Sequence, residues 1–591
     1  MAGFRLAARF PLSLCLLLAV LLGPATLVGC IDDSAAPELT GDNLLELVTS
    51  AEDLGLIREI LGNLAVSGTL RSGSDLTFFA PTDEALLSLG TEMLARLRTP
   101  DNEAILDKLV RRHVVPGRFR LADLRDGMTL DPLEGPPLAV RVDGEDVTVG
   151  GALITDDEFT TGNGVLFQVD EVVRDHLTLA ERLRVTPIIS TFADALDTAD
   201  LTDAVTDGEP YTLFIPVNSA FLGFTPLELQ ALLSFDNRDV LTRVLRHHVV
   251  PGRVRIDDLA TGTTLDALDG MPLDVIVEDG LVYVGGARVV IPEVETSDGL
   301  IYLLDTVVVN HLTIRDRMRI APEFATTLTI LRDAGVIDEL DADGAYTVFA
   351  PTDATWEVLG LPFLPELNAR PDLLLRTAQY AVVPERIDPE ELLTGRDLTT
   401  LGDYDLPILI RQDVGGPQVF VGGRAQVDPS AREARNGFLY TVAPFYYPPD
   451  LDLEERAVFT GLYRFLALME RAGLTSLLQE PGPYTVFAPD DRALNGVNIP
   501  DFRLADLLRY HILPGRLPGS TISTTPRPYR TLEGSLLELL RLGSTNLGLN
   551  CEELPGPPPM IVCEARVRSA DNSAENGIIH TINGVLEIPT P

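Results

Sequence analysis

Apolar residues recur along the chain with two different periods. Leu44, Leu45, Leu47 and Val48, then Leu56, Ile57, Ile60 and Leu61, follow the three-to-four-residue spacing of helices with one buried face. Leu94-Ala95-Arg96-Leu97 and Ile105-Leu106 to Leu109-Val110 repeat that spacing. Between these helical stretches lies Thr77-Phe78-Phe79-Ala80-Pro81-Thr82-Asp83, a β-rich run that ends at a proline. Proline cannot donate to a ladder, so it stops the strand. Thr82 and Asp83 are residue types that cap the helix predicted by Glu84-Ala85-Leu86-Leu87. Further on, Val147 to Gly151 reads as a strand reaching a glycine pair, taken as a bulge. Asn163-Gly164 between two apolar runs predicts a hairpin whose central residues take positive φ. Helices first, then mixed elements, then hairpins make an α+β unit.

The same pattern occurs four times. The first box starts at Thr77, Thr212, Thr347 and Thr485, at intervals of 135, 135 and 138 residues. A second box follows: His113-Val114-Val115-Pro116-Gly117-Arg118, His248 to Arg253, Ala381 to Arg386 and His511 to Arg516. It reads as the end of a helix or a short strand, broken at Pro-Gly. A third box closes each unit at Asn163-Gly164, Asp298-Gly299, Asn436-Gly437 and Asn576-Gly577.

These boxes resemble the motifs of the fasciclin (FAS1) family. Thr347-Val348-Phe349-Ala350-Pro351-Thr352-Asp353 resembles its first motif, Asn576-Gly577-Ile578-Ile579-His580 its second, and Tyr510-His511 the Tyr-His segment between them. The resemblance implies α+β domains, each a β-wedge of two sheets flanked by helices. Expected domains run over 42–176, 177–311, 312–447 and 448–591. Repeat three departs from the pattern, with Tyr380-Ala381 for Tyr-His and Glu385 for glycine, and repeat one has Arg112 in place of the tyrosine.

Residues 1–29 carry Arg5 and Arg9, an apolar run from Phe10 to Leu22, and no acid. That is the pattern of a signal peptide. Leu27-Val28-Gly29-Cys30 resembles a bacterial lipobox, which implies acylation of Cys30 and a tether over 30–41. Several acyl chains anchor stably. Ile31 rather than aspartate after the cysteine leans to the outer membrane, on its periplasmic face or at the cell surface. The formal charge of −42 repels phosphate backbones and excludes nucleic-acid binding as a main role.

Cys551 and Cys563 flank a proline-rich excursion in repeat four and read as a disulfide in an exported protein, against free thiols or a two-thiolate metal site. Histidines recur at fixed points of the repeat: His113, His248 and His511, with His247 beside the second, and His176 and His311 at unit junctions. They read as structural hydrogen-bonders. No catalytic constellation, metal site or cofactor motif is expected. Calcium stays open, without an EF-hand spacing of ligands. Glu293-Val294 loosely resembles an acidic-aliphatic pair tied to integrin contact in animal matrix members of the family. Tyr510 and His511 are the remaining binding candidates. The expected role is a non-enzymatic, lipid-anchored envelope protein contacting other envelope or matrix proteins or glycans. The alternative is a module binding a small apolar ligand or glycan, sought first in repeat four.

Overall fold

A computed structural model describes residues 41–589, except 157, 207–209, 343, 543–545 and 555–559. The expected signal peptide, Cys30 and all of the tether but residue 41 lie outside the described residues. The described residues form two compact units, divided between 174 and 175.

Each repeat is built on the same α+β plan. In the first unit, the first-box strand Leu76–Pro81 runs parallel to Gly164–Val169 and antiparallel to Val114–Pro116. Phe159–Thr161 completes this sheet, and four short strands from Thr129 to Leu153 form the second. Both central strands are buried along their whole length, as expected when a parallel pair is covered on both faces. One face meets the helices and the other meets the second sheet.

In repeat two the strands Ala287–Glu295 and Gly299–Leu304 join the two halves into one seven-stranded path. Ala287–Glu295 serves both halves because two irregularities, between Val289 and Ile291 and between Ile291 and Val294, bend it. Repeat four does the same with the long strand Met560–Ala574.

An aromatic pair sits across the parallel strands of every repeat. Phe79–Phe167, Phe214–Tyr302, Phe349–Tyr440 and Phe487–His580 stack with centroids 5.5, 5.5, 5.4 and 5.2 Å apart. Such pairs contribute about 1 kcal/mol each beyond their burial.

Two turn assignments change. The turn residues of the third box are Gly162-Asn163, not Asn163-Gly164, because Thr161 pairs with Gly164. Neither turn residue takes positive φ. Gly164 is needed for a different reason: a methyl on it would overlap the carbonyl oxygen of Leu76 on the parallel strand, and Gly299, Gly437 and Gly577 meet Tyr211, Tyr346 and Tyr484 in the same way. The left-handed turn lies at the glycine pairs instead. Gly150 and Gly151, at φ 61° and 91°, connect the paired residues Val149 and Ala152 in a two-residue hairpin. They are a turn, not a bulge.

Within the second unit, repeats three and four share one apolar core. Leu359, Phe363 and Leu367 pack in a cluster with Leu453, Phe459 and Leu466. Tyr463 donates to the carbonyl of Leu359 at 2.7 Å, and Arg370 pairs with Glu454 at 2.9 Å. Repeats two and three meet through Leu312 and Ile320, which pack in the core of repeat two, and through polar contacts, including Arg319 bidentate on Asp239 at 2.7 and 2.8 Å.

Candidate functional site

The recurring polar residues hold the fold together. The first-box threonine is buried in each repeat. Its hydroxyl donates to the carbonyl of Gly117, Gly252, Glu385 or Gly515 at 2.7–2.8 Å. It accepts the backbone N–H of Phe119, Val254, Ile387 or Leu517 at 2.8–2.9 Å. The first-box Asp83, Asn218, Asp353 and Asp491 accept a backbone N–H from the start of an earlier helix, at Leu56, Thr191, Thr326 and Arg464. The third-box side chains of Asn163, Asp298, Asn436 and Asn576 accept from Leu44, Leu179, Ile314 and Leu453 at 2.8–2.9 Å. Each thereby ties the first helix of a repeat to its last hairpin. The second-box arginines close the same turn: Arg118 donates to Thr161 and Gly162, and Arg516 to Ala574 and Glu575.

The histidines do the same. His113, His248 and His511 are buried, with Nδ1 2.7–2.8 Å from the carbonyl four residues back. Nε2 faces the backbone N–H of Val173, Val308 and Leu586 at 2.9–3.0 Å, so it accepts, and the proton sits on Nδ1. Burial pushes His248 and His511 down to about 4, which keeps both rings neutral. In repeat three, where Ala381 replaces histidine, Tyr446 stands at the position of Val173, Val308 and Leu586, ten residues after the third-box asparagine or aspartate. Its ring packs on Tyr380 and its hydroxyl donates to Phe349 at 3.0 Å.

The binding candidates divide accordingly. Tyr510 and His511 are fully buried, and the Tyr510 hydroxyl bonds to Leu536 and Asn550. Neither side chain is presented to a partner. Glu293 accepts from the Tyr302 hydroxyl at 2.6 Å and from Arg255 at 2.7 Å. Tyr302 is held protonated by burial and by that carboxylate. Val294 packs on the helical core. The pair therefore builds the bent strand. Cys551 and Cys563 are directly opposed on neighbouring strands, with their sulfurs bonded.

Some large apolar side chains also face solvent. Among the described residues, six large apolar side chains are at least 80% exposed, and five of them fall in one stretch of the repeat. That stretch runs from the first-box proline to the first turn of the next long helix. It carries Leu222 and Phe235 in repeat two, Val358 and Leu361 in repeat three, and Phe502 in repeat four. Leu87, 51% exposed, lies there in repeat one. Scattered exposed apolar residues need no explanation, but their concentration in one stretch of the repeat does. The apolar periodicity of this stretch hid them, because it reads as helix core. In repeat four the stretch borders a cleft of about 380 Å³ between Val497, Ile499, Leu507 and Val585, with Arg503 and Glu587 on its wall.

Four tandem α+β units wired by the same three boxes define a class of repeat protein. The chain belongs to the fasciclin domain family, which matches residues 53–175, 187–310, 322–447 and 460–589. It is similar to transforming growth factor-beta-induced protein ig-h3 of Sus scrofa, 24% identical over 92% of this chain and 78% of that protein. It is similar to periostin of Homo sapiens, 23% identical over 86% of this chain, and spans 59% of periostin's length. Protein sll1483 of Synechocystis is 33% identical over 132 residues, covering 22% of this chain and 73% of that protein. Among solved structures, a FAS1 domain pair from the insect cell adhesion molecule Fasciclin I covers 45% of this chain and 95% of its own, with 18% identity and a TM-score of 0.22.

Proposed function

We propose that this protein is a non-enzymatic adhesion protein of the bacterial cell envelope. Cys30 carries the acyl anchor, in the outer membrane, and the tandem domains contact other envelope or matrix proteins or glycans. Adhesion is the role that the fasciclin resemblance implies. The observation that carries the reading is that exposed apolar side chains, Leu222, Phe235, Leu361 and Phe502, fall in the stretch between the first box and the next long helix in repeats two, three and four. Apolar anchors repeated along one chain suit contacts that are weak singly, since linked sites raise one another's effective concentration. Cells lacking the chain should attach poorly to surfaces or to one another; normal attachment overturns the adhesive role. Radioactive fatty acid should label the wild-type chain and not Cys30→Ala; equal labelling overturns the anchor.

The cleft at Val497 and Leu507 supports a second reading, a small apolar ligand or glycan bound in repeat four. Native mass spectrometry of the full chain purified from its own cells tests it. A bound small molecule favours this reading, and an unliganded mass counts against it.

A further inference from the structure

Two histidines that sequence spacing separates by 64 residues are neighbours in repeat two. His247 ends the helix Arg238–His247, and His311 lies between the last strand of the repeat and the helix Ile314–Arg319. Their rings stack with centroids 3.8 Å apart. Asp269, in the turn between the strands Thr264–Asp266 and Pro272–Glu278, reaches both. Its Oδ1 is 3.1 Å from His247 Nδ1, and its Oδ2 is 4.0 Å from His311 Nε2. All three side chains are 5% exposed or less.

The group is incompletely satisfied. Asp269 Oδ2 and both ring nitrogens of His311 are buried without a hydrogen-bond partner. Orphaned buried polar atoms are costly and call for a missing partner. Meanwhile the backbone N–H of Met271 donates to Asp269 Oδ1 at 3.1 Å and orients the carboxylate. Such an outer hydrogen bond is the usual support of a ligating group.

Repeat one supplies a comparison. By register, Arg112 replaces His247 and Glu134 replaces Asp269. The buried Arg112 guanidinium donates to the carbonyls of Glu134 and Pro136. A covalently attached cation thus serves that turn in repeat one. Repeat two has two imidazoles and a carboxylate there instead.

The geometry points to a transition-metal site formed by His247, Asp269 and His311, with zinc as the fitting ion. One ligand atom from each residue lies within 4.8 Å of the others, and among the described residues this is the one such group of three. Ligand atoms around tetrahedral zinc lie about 3.3 Å apart, so small side-chain rotations close the set. Two imidazoles and one carboxylate suit zinc and leave a fourth position open. Calcium takes six to eight oxygen ligands, which two imidazoles and one carboxylate do not supply.

The test is zinc titration of the full chain after chelation, against a competing chromophoric chelator, with cobalt as the spectroscopic probe. The expected result is one equivalent per chain and a tetrahedral cobalt spectrum. Both are lost in Asp269→Asn and in His311→Ala, and zinc raises the melting temperature of the wild type only. Asp269→Asn keeps the side-chain shape, and circular dichroism of each variant confirms folding. Absence of a saturable equivalent in the wild-type chain overturns the site, as does zinc binding that survives in the folded Asp269→Asn and His311→Ala variants.

Discussion

His511 Nε2 accepts the backbone N–H of Leu586 at 3.0 Å, joining the end of a helix to the segment beyond the last strand. The bond requires a neutral ring, which links the domain's stability to pH. Burial holds His511 and His248 down to about 4 from an ordinary 6.5. In the unfolded chain both rings take a proton near pH 6.5, while the folded rings do not until about 4. The unfolded state therefore binds more protons in that window, and stability falls as the pH drops through it. Burial shifts His311 and His580 the same way. The expected loss is on the order of 3 kcal/mol for each of His248 and His511. Urea unfolding at pH 7 and pH 4.5 measures it, and His511→Phe should flatten the slope for repeat four.

Gly577 tests the close approach of the parallel strands. An added methyl meets the carbonyl oxygen of Tyr484, which is fixed by its strand. Gly577→Ala should cost about 3 kcal/mol, the upper range of overpacking. Gly534→Ala, at a glycine with open space but positive φ, should cost about 1 kcal/mol. Denaturant midpoints of the two variants compare them.

Tyr446 and Ala381 form an exchangeable pair. Tyr446 occupies in repeat three the position whose backbone serves the histidine elsewhere. Ala381→His alone should be destabilising by overpacking, and Tyr446→Val alone by cavity formation. The double variant should recover part of both losses, with a coupling of about 1–3 kcal/mol in a double-mutant cycle.

The Cys551–Cys563 bond closes a short loop, twelve residues apart in sequence. Its removal by Cys563→Ser with Cys551→Ser should cost about 3 kcal/mol in a chain-entropy picture. Because repeats three and four share a core, the loss should lower the melting of both together. Calorimetry of the full chain reads this as one transition moving while that of repeat one stays in place.

Much of the architecture was legible in the sequence because the boxes are strong local signals. The strand, proline and helix cap of the first box form where the residues predict, with Thr82 accepting from Ala85. The turns were misread because Asn-Gly and Gly-Gly both suit a left-handed turn. Which of them takes it depends on the parallel partner strand, at Leu76 for Gly164. The candidate contacts were less legible. Tyr510 and His511 stood out by recurrence, and recurrence marks internal wiring here. Leu361 and Phe502 stood in helical periodicity, and only the fold shows that they face outward. His247 and His311 come together through the chain's return after the last strand, which no local spacing encodes.

The adhesive account is tested most directly by attachment of cells bearing Leu222→Asp, Phe235→Asp, Leu361→Asp and Phe502→Asp together, at matched surface level. Val414→Asp is the control, since Val414 is fully exposed but sits at a hairpin between the strands Ile408–Asp413 and Gly416–Val421, outside the recurring stretch. Each lost apolar anchor is worth on the order of 1 kcal/mol or more. The account predicts that the fourfold variant loses attachment by about tenfold or more, while Val414→Asp attaches like the parent. Equal attachment by the fourfold variant would contradict it.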